Sequence, residues 1–141
     1  MVAIDWRVHL ASPPDRVFDA LATDSGRASF WAESAARRGD QIEWRFPGGH
    51  GYRGPILAED RPRTFTVSYY GDTRTTFTLS PDGQGGTDVR LADDGVAEAD
   101  HMDVLPGWVS VLMALKAYVD HGVDLRNHDT LRSWDRRYCD N

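Results

Sequence analysis

The longest apolar run in the chain is Asp103 to Gly122, DVLPGWVSVLMALKAYVDHG, and its spacing is helical. At about 100° per residue, Val104, Leu105, Trp108, Val111, Leu112, Leu115 and Val119 share one face, while Ser110, Ala114, Ala117, Asp120, His121 and Asp124 share the other. Asp103 is placed to cap the start, and Pro106 falls in the first turn, where a missing backbone N–H costs little. Gly122 suits the end, and the pattern also allows continuation through Leu125. Val109 and Tyr118 widen the stripe, so the helix needs a broad apolar surface to lie on. Against the roughly 20 apolar residues of a membrane span, this interrupted and charged stretch reads as too short.

Upstream the period is two. Ile4, Trp6, Val8 and Leu10 alternate with Asp5, Arg7 and His9, the pattern of a half-buried strand. Ser12, Pro13, Pro14 and Asp15 then form a helix start, with Ser12 as the cap and Val17, Phe18 and Leu21 as the apolar side. Thr23 or Asp24 caps a second short helix carrying Phe30 and Trp31. From Gln41 onward the chain reads as a meander. Its strands carry Ile42, Trp44 and Phe46, then Tyr52 to Ala58, then Phe65, Val67 and Tyr69, then Thr75, Phe77 and Leu79, then Thr87, Val89 and Leu91. The turns between them hold Pro47 to Gly51, Arg61 to Arg63, Gly71 with Asp72, and Asp82 to Gly86, and Asp93, Asp94 and Gly95 read as the end of the last strand.

Strand, two helices, five strands and a long helix predict an α+β domain, with an antiparallel sheet of six to seven strands curled around the C-terminal helix. The aromatic side chains Trp6, Trp44, Phe46, Phe65, Tyr69, Phe77 and Trp108 then converge on one interior, either a filled core or a cavity. With Tyr52, Leu112 and Leu115 they form the candidate ligand-binding set, and Arg53 or His50 would stand near its mouth with Tyr69 to fix a polar end of a ligand. At 141 residues, 40% hydrophobic, the chain suits one ordered domain spanning 1–141, in which residues 127–141 pack on the domain as a clasp or lie over the ligand as a lid. Trp134 and Tyr138 are spaced to share a helical face in that tail.

Charge and chemistry narrow the classes. A net charge of −6 argues against a general nucleic-acid surface, which needs a concentrated positive field. The single cysteine, Cys139, excludes an internal disulfide, and no charged-then-apolar leader precedes Ile4; both lead to an expectation of a cytoplasmic protein. His121, Asp124 and His128 would share a side of an unbroken helix, yet Gly122 interrupts them and the spacing suits no common metal motif. Asp100, His101 and Asp103 are placed either to supply a base or to cap the long helix. Cys139 lacks a fixed base partner, and Gly48, Gly49 and Gly51 precede no helix that would make them a phosphate loop. No catalytic residue, metal or cofactor is therefore assigned. Met113, Ala114 and Ala117 on the outer helix face leave monomer and homodimer both open.

Three segments carry a resemblance: SPPDRVFDALAT followed by Phe30 and Trp31, GPILAEDRPRTFTVSY, and GWVSVLMALKAYVDHG. Together they resemble the START-like or SRPBCC superfamily with its helix-grip (START/Bet v-like) fold, and more closely the branch named after the activator of heat-shock protein 90 ATPase. The resemblance implies the fold more strongly than the activity, because none of its motifs is catalytic. It implies an apolar small molecule held between sheet and long helix, with a chaperone-linked interaction module, or a cyclase or hydrolase using Asp100, His101 or Tyr69, as the alternatives.

Overall fold

The computed structural model describes residues 2–141. Strand β1 (Val2–Leu10) leads through helices α1 (Pro14–Ala22) and α2 (Asp24–Phe30) to six further strands. These are β2 (Ser34–Arg38), β3 (Gln41–Arg45), β4 (Gly51–Asp60), β5 (Thr64–Ser68), β6 (Arg74–Pro81) and β7 (Thr87–Val96), and helix α3 (His101–His121) follows. All neighbours in the sheet are antiparallel, in the order β1-β7-β6-β5-β4-β3-β2. The α+β architecture expected from the periodicities, and the helix-grip fold that the resemblance implies, are thus present, with seven strands. Strand β2 escaped the pattern because its sequence, SAARR, offers one buried apolar side chain, Ala35.

The sheet's inner positions follow the predicted alternation: Ile42 and Trp44, Phe65 and Val67, Phe77 and Leu79, and Val89 and Leu91 are all buried. Helix α3 answers with Trp108, Leu112, Leu115 and Val119. Its start differs from expectation. The helix begins at His101 with Asp100 as N-cap and no side-chain cap bond, so Pro106 lies inside it, beyond the first turn. Gly122, in the left-handed conformation, ends it at the predicted place. With the 3₁₀ turn Glu98–Asp100 before it, the helical run reaches 24 residues, long and apolar enough by composition to cross a membrane, which corrects the expectation from length. In this fold the run lies on the sheet instead, through the four side chains just named.

Two further corrections concern its outer face. Ala114 is buried, and the Asp120 side chain is only 4% exposed. Asp120 accepts hydrogen bonds from the Ala11 N–H (2.9 Å), the Ser12 N–H (3.1 Å) and the Ser12 hydroxyl (2.8 Å). Ser12 is therefore engaged with α3 and does not cap α1, whose N-cap is Pro13. Thr23 does cap α2, accepting from the Gly26 N–H at 3.0 Å. At Gly26 a Cβ would stand 2.5 Å from the Ala20 carbonyl oxygen, so the two short helices can cross this closely only at a glycine.

Beneath that crossing Arg27 is completely buried. Its guanidinium donates to the carbonyls of Ala35 (Nε 3.2 Å, Nη2 2.9 Å) and Leu21 (3.0 Å) and to the Asp24 carboxylate (2.5 Å). Asp24 also accepts from the Arg37 N–H of β2 at 3.0 Å. Helix α2 is thereby fastened to the terminal strand by charge-assisted bonds to backbone groups.

Candidate functional site

The interior under α3 is an aromatic cage with Tyr69 at its centre. The Tyr69 ring stands 5.5 Å from Trp31, 5.0 Å from Trp44, 6.2 Å from Phe46, 5.5 Å from Tyr52 and 5.2 Å from Trp108, centroid to centroid. Most of these pairs are tilted or edge-on, the arrangements the ring quadrupoles favour. Trp31 reaches the cage because it ends α2 facing inward, 4.3 Å from Trp44 and 5.3 Å from Phe77. Tyr69 follows β5 with an irregular backbone (φ −120°, ψ −118°) that precedes the turn at Tyr70–Asp72.

A cleft of about 650 Å³ opens on one side of this cage. One wall is Phe46, Tyr52, Tyr69 and Tyr70 from the sheet, with Trp31 behind them. The facing wall is the first half of α3, including Val104, Gly107, Trp108 and Val111. The third comes from the segment after α3: Ser133, Trp134, Asp135, Arg137, Cys139 and Asn141. Of the candidate residues, Phe46, Tyr52, Tyr69 and Trp108 line the cleft. Trp44, Phe65, Phe77, Leu112 and Leu115 form the packed layer behind it, where Phe65 meets Phe18 at 6.1 Å. Trp6 is elsewhere. It pairs with Leu91 on edge strand β1, is half-exposed, and takes no part in the cage, because alternation fixes its face but not what covers it.

Of His50 and Arg53, expected as alternatives near the mouth, one stands there. His50 lines the cleft and meets Asp135 at 2.6 Å, whereas Arg53 is paired with Glu43 (2.5 Å) on the surface. Asp100 and Asp103 line the mouth. Burial raises the Tyr69 phenol above its ordinary value, with the nearby Trp31 indole opposing, so this hydroxyl remains a hydrogen-bond donor across the usable pH range rather than a base. The Trp31 and Trp44 N–H groups are buried without a hydrogen-bond partner among the described residues.

The residue that spacing missed is Asp93. Its side chain is buried between sheet and α3, accepting from the Trp108 indole N–H at 2.7 Å and from the Thr75 hydroxyl at 2.8 Å. Burial raises its carboxyl above the ordinary value, against the lowering effect of those donors. The Asp-Asp-Gly run reads as a strand end, but β7 continues through it to Val96. The signal was present: Thr87, Val89, Leu91 and Asp93 keep strict alternation on the inner face.

The tail departs from α3 at Gly122 and is rooted on α2. Arg126 donates to the Ala28 and Ala32 carbonyls, both at 2.7 Å, and is held by Asp124. His128 stands between Glu33 (2.6 Å) and Asp124 (2.7 Å), an arrangement among the tail and the loop after α2 rather than along one helix face with His121. Trp134 and Tyr138 do not share an α-helix either, because only a 3₁₀ turn, Trp134–Arg136, forms there.

Glu33 and then Asp124 raise the His128 imidazole above its ordinary value of 6.5. A raised basic group stabilises fully below the unfolded value and loses that contribution as pH rises through the folded one. Cleavage by trypsin at Arg132 is therefore expected to rise more steeply between pH 6 and pH 9 in the parent than in His128→Gln, whose profile should follow the protease's own pH dependence. An unchanged profile in the variant would refute the assignment.

The solution structure of the Aha1 dimer from Colwellia psychrerythraea matches with TM-score 0.76 and 25% identity, covering 86% of this chain and 98% of that one. The crystal structure of protein SSP2350 from Staphylococcus saprophyticus matches with TM-score 0.74 and 22% identity, over 86% and 94% of the two chains. DynU16, described as a putative protein in the dynemicin biosynthetic locus, matches with TM-score 0.72 and 16% identity, over 85% of this chain and 48% of that one. These likenesses show the fold. No curated protein matches the chain. Residues 11–120 match the sequence model of the family described as Activator of Hsp90 ATPase homolog 1-like protein, and the chain belongs to that family.

Proposed function

We propose that the protein binds a flat, ring-bearing apolar small molecule in the cleft between its sheet and the first half of α3. The observation that carries this reading is the wall of Phe46, Tyr52, Tyr69 and Trp108, four rings turned toward one open space of ligand size. Flat ligands gain most from such a wall, because rings stack or meet edge-on with little conformational entropy lost. The Tyr69 hydroxyl and His50 are among the polar groups of the lining and are placed to orient one end. DynU16, with the same fold, is described as belonging to the dynemicin biosynthetic locus, and that description favours a small-molecule setting for this chain also. Burial keeps the Tyr69 phenol protonated, which suits it to donate a hydrogen bond to a polar group of the ligand.

Isothermal titration and thermal shift with fused-ring aromatics and with straight-chain fatty alcohols test the reading. Fused rings are expected to bind in the micromolar range and raise the melting temperature, and Tyr52→Ala is expected to weaken them roughly three- to tenfold through loss of one aromatic contact. Tyr52 is half-buried at the cleft, so its removal leaves the packed layer intact. Stabilisation by linear chains alone, or affinity indifferent to Tyr52→Ala, would overturn it.

A further inference from the structure

The family match ends at residue 120, yet the cleft's third wall is built from residues beyond it. We infer that the segment from Asp129 to Asn141 is part of the ligand site: a strap whose Trp134 ring closes over a flat aromatic ligand and sets which ligands fit and how long they stay. This rests on the cleft reading above.

Three observations carry the assignment. First, the strap bridges the mouth. On the sheet side Asp135 meets His50 at 2.6 Å, and on the helix side the Ser110 hydroxyl donates to the Cys139 carbonyl at 2.5 Å. Second, Trp134 is seated on α3 at the one helical residue without a side chain there. A Cβ on Gly107 would lie 3.6 Å from the Trp134 ring, ordinary contact distance, so the indole rests against the helix at this glycine, next to Trp108 on the same wall. Third, the strap is firmly rooted and lightly latched. Its root is the largely buried Arg126, donating to two backbone carbonyls, and Asn127, which holds Asp140 through both backbone (2.6 Å) and side chain (2.9 Å). The His50–Asp135 latch is more than half exposed on both sides, and exposed pairs of this kind contribute little. A segment fixed at its base and weakly held across an opening can lift without unfolding the domain.

The test is a fluorescence titration and stopped-flow measurement with 1-aminoanthracene, a flat three-ring probe, on the full chain and its variants. Trp134→Ala is expected to weaken binding about tenfold and speed dissociation, and Trp134→Phe to stay within about threefold of the parent. Asp135→Ala, which removes the latch and leaves His50 in place, is expected to speed both association and dissociation severalfold with a smaller change in affinity, the behaviour of a loosened latch. If Tyr52→Ala weakens the probe while Trp134→Ala and Asp135→Ala leave affinity and rates unchanged, the strap is no part of the site and the inference falls while the cleft reading stands. If the parent protein does not bind the probe at all, the reading of the cleft as a site for flat rings fails, and the strap proposal with it.

Discussion

Asp93→Leu is expected to lower stability by about 2–4 kcal/mol, since it strands the Trp108 indole N–H and the Thr75 hydroxyl in the interior and gives neither a replacement partner. For a chain of this length that corresponds to a fall of roughly 5–15 °C in melting temperature. Asp93→Asn is the informative companion. Its amide oxygen can accept from Trp108 while its NH2 donates to Thr75, so the variant is expected to stay within about 1 kcal/mol of the parent near neutral pH. The two should also separate with pH. Burial raises the Asp93 carboxyl in the fold, so the folded state holds this proton more tightly than the unfolded chain does. Its stabilising contribution is complete below the ordinary value of 3.8 and is lost as pH rises through the raised one. Stability of the asparagine variant relative to the parent should therefore increase with pH across that window and level off above it. Urea unfolding from pH 4 to pH 8 measures the difference. A relative stability that rises on acidification would contradict the assignment.

Arg27→Ala is expected to cost about 3–5 kcal/mol, enough to remove most of the stability of an ordinary domain. The side chain is completely buried and serves two carbonyls and a carboxylate, so its loss leaves both a void and unsatisfied oxygens. Burial pulls the guanidinium below its ordinary pKa and Asp24 pulls it back, a balance that still leaves arginine charged. Lysine should rescue little, because a single ammonium cannot reach the Leu21 and Ala35 carbonyls and Asp24 in one planar fork. Soluble yield and the urea midpoint of the alanine and lysine variants check this. A lysine variant as stable as the parent would show that position matters less here than charge.

Both side chains mark where reading the sequence stops. The apolar faces of α3 and of the strands could be read directly, because burial on one side imposes a period of two or 3.6 on ordinary hydrophobic residues. Arg27 carried no such mark. A buried arginine looks like any surface arginine on a short helix until the carbonyls of Leu21 and Ala35 are brought to it from other turns of the chain. Asp93 did carry the period of its strand but the wrong polarity for its face, so its local Asp-Asp-Gly setting prevailed. At the candidate site, Phe46, Tyr52, Tyr69 and Trp108 were accessible from alternation and helix phase. Trp31 was read as part of a short helix, and its place in the cage depends on how that helix turns back under α3. That residues 127–141 fold back as a clasp or a lid could be read, but not where Trp134, Asp135 and Arg137 lie, because a tail without regular structure has no period to fix its course.

The fastening of α2 to β2 has one more consequence. Strand β2 ends the sheet, and a terminal strand ordinarily offers its unpaired backbone groups to any extended segment that drifts past. Here the Ala35 carbonyl and the Arg37 N–H are already taken, by the guanidinium and the carboxylate of one helix, which stand in for a missing neighbour. The same pair of side chains that holds the helix down thus also blunts this border against recruitment into intermolecular ribbons and the aggregates that grow from them.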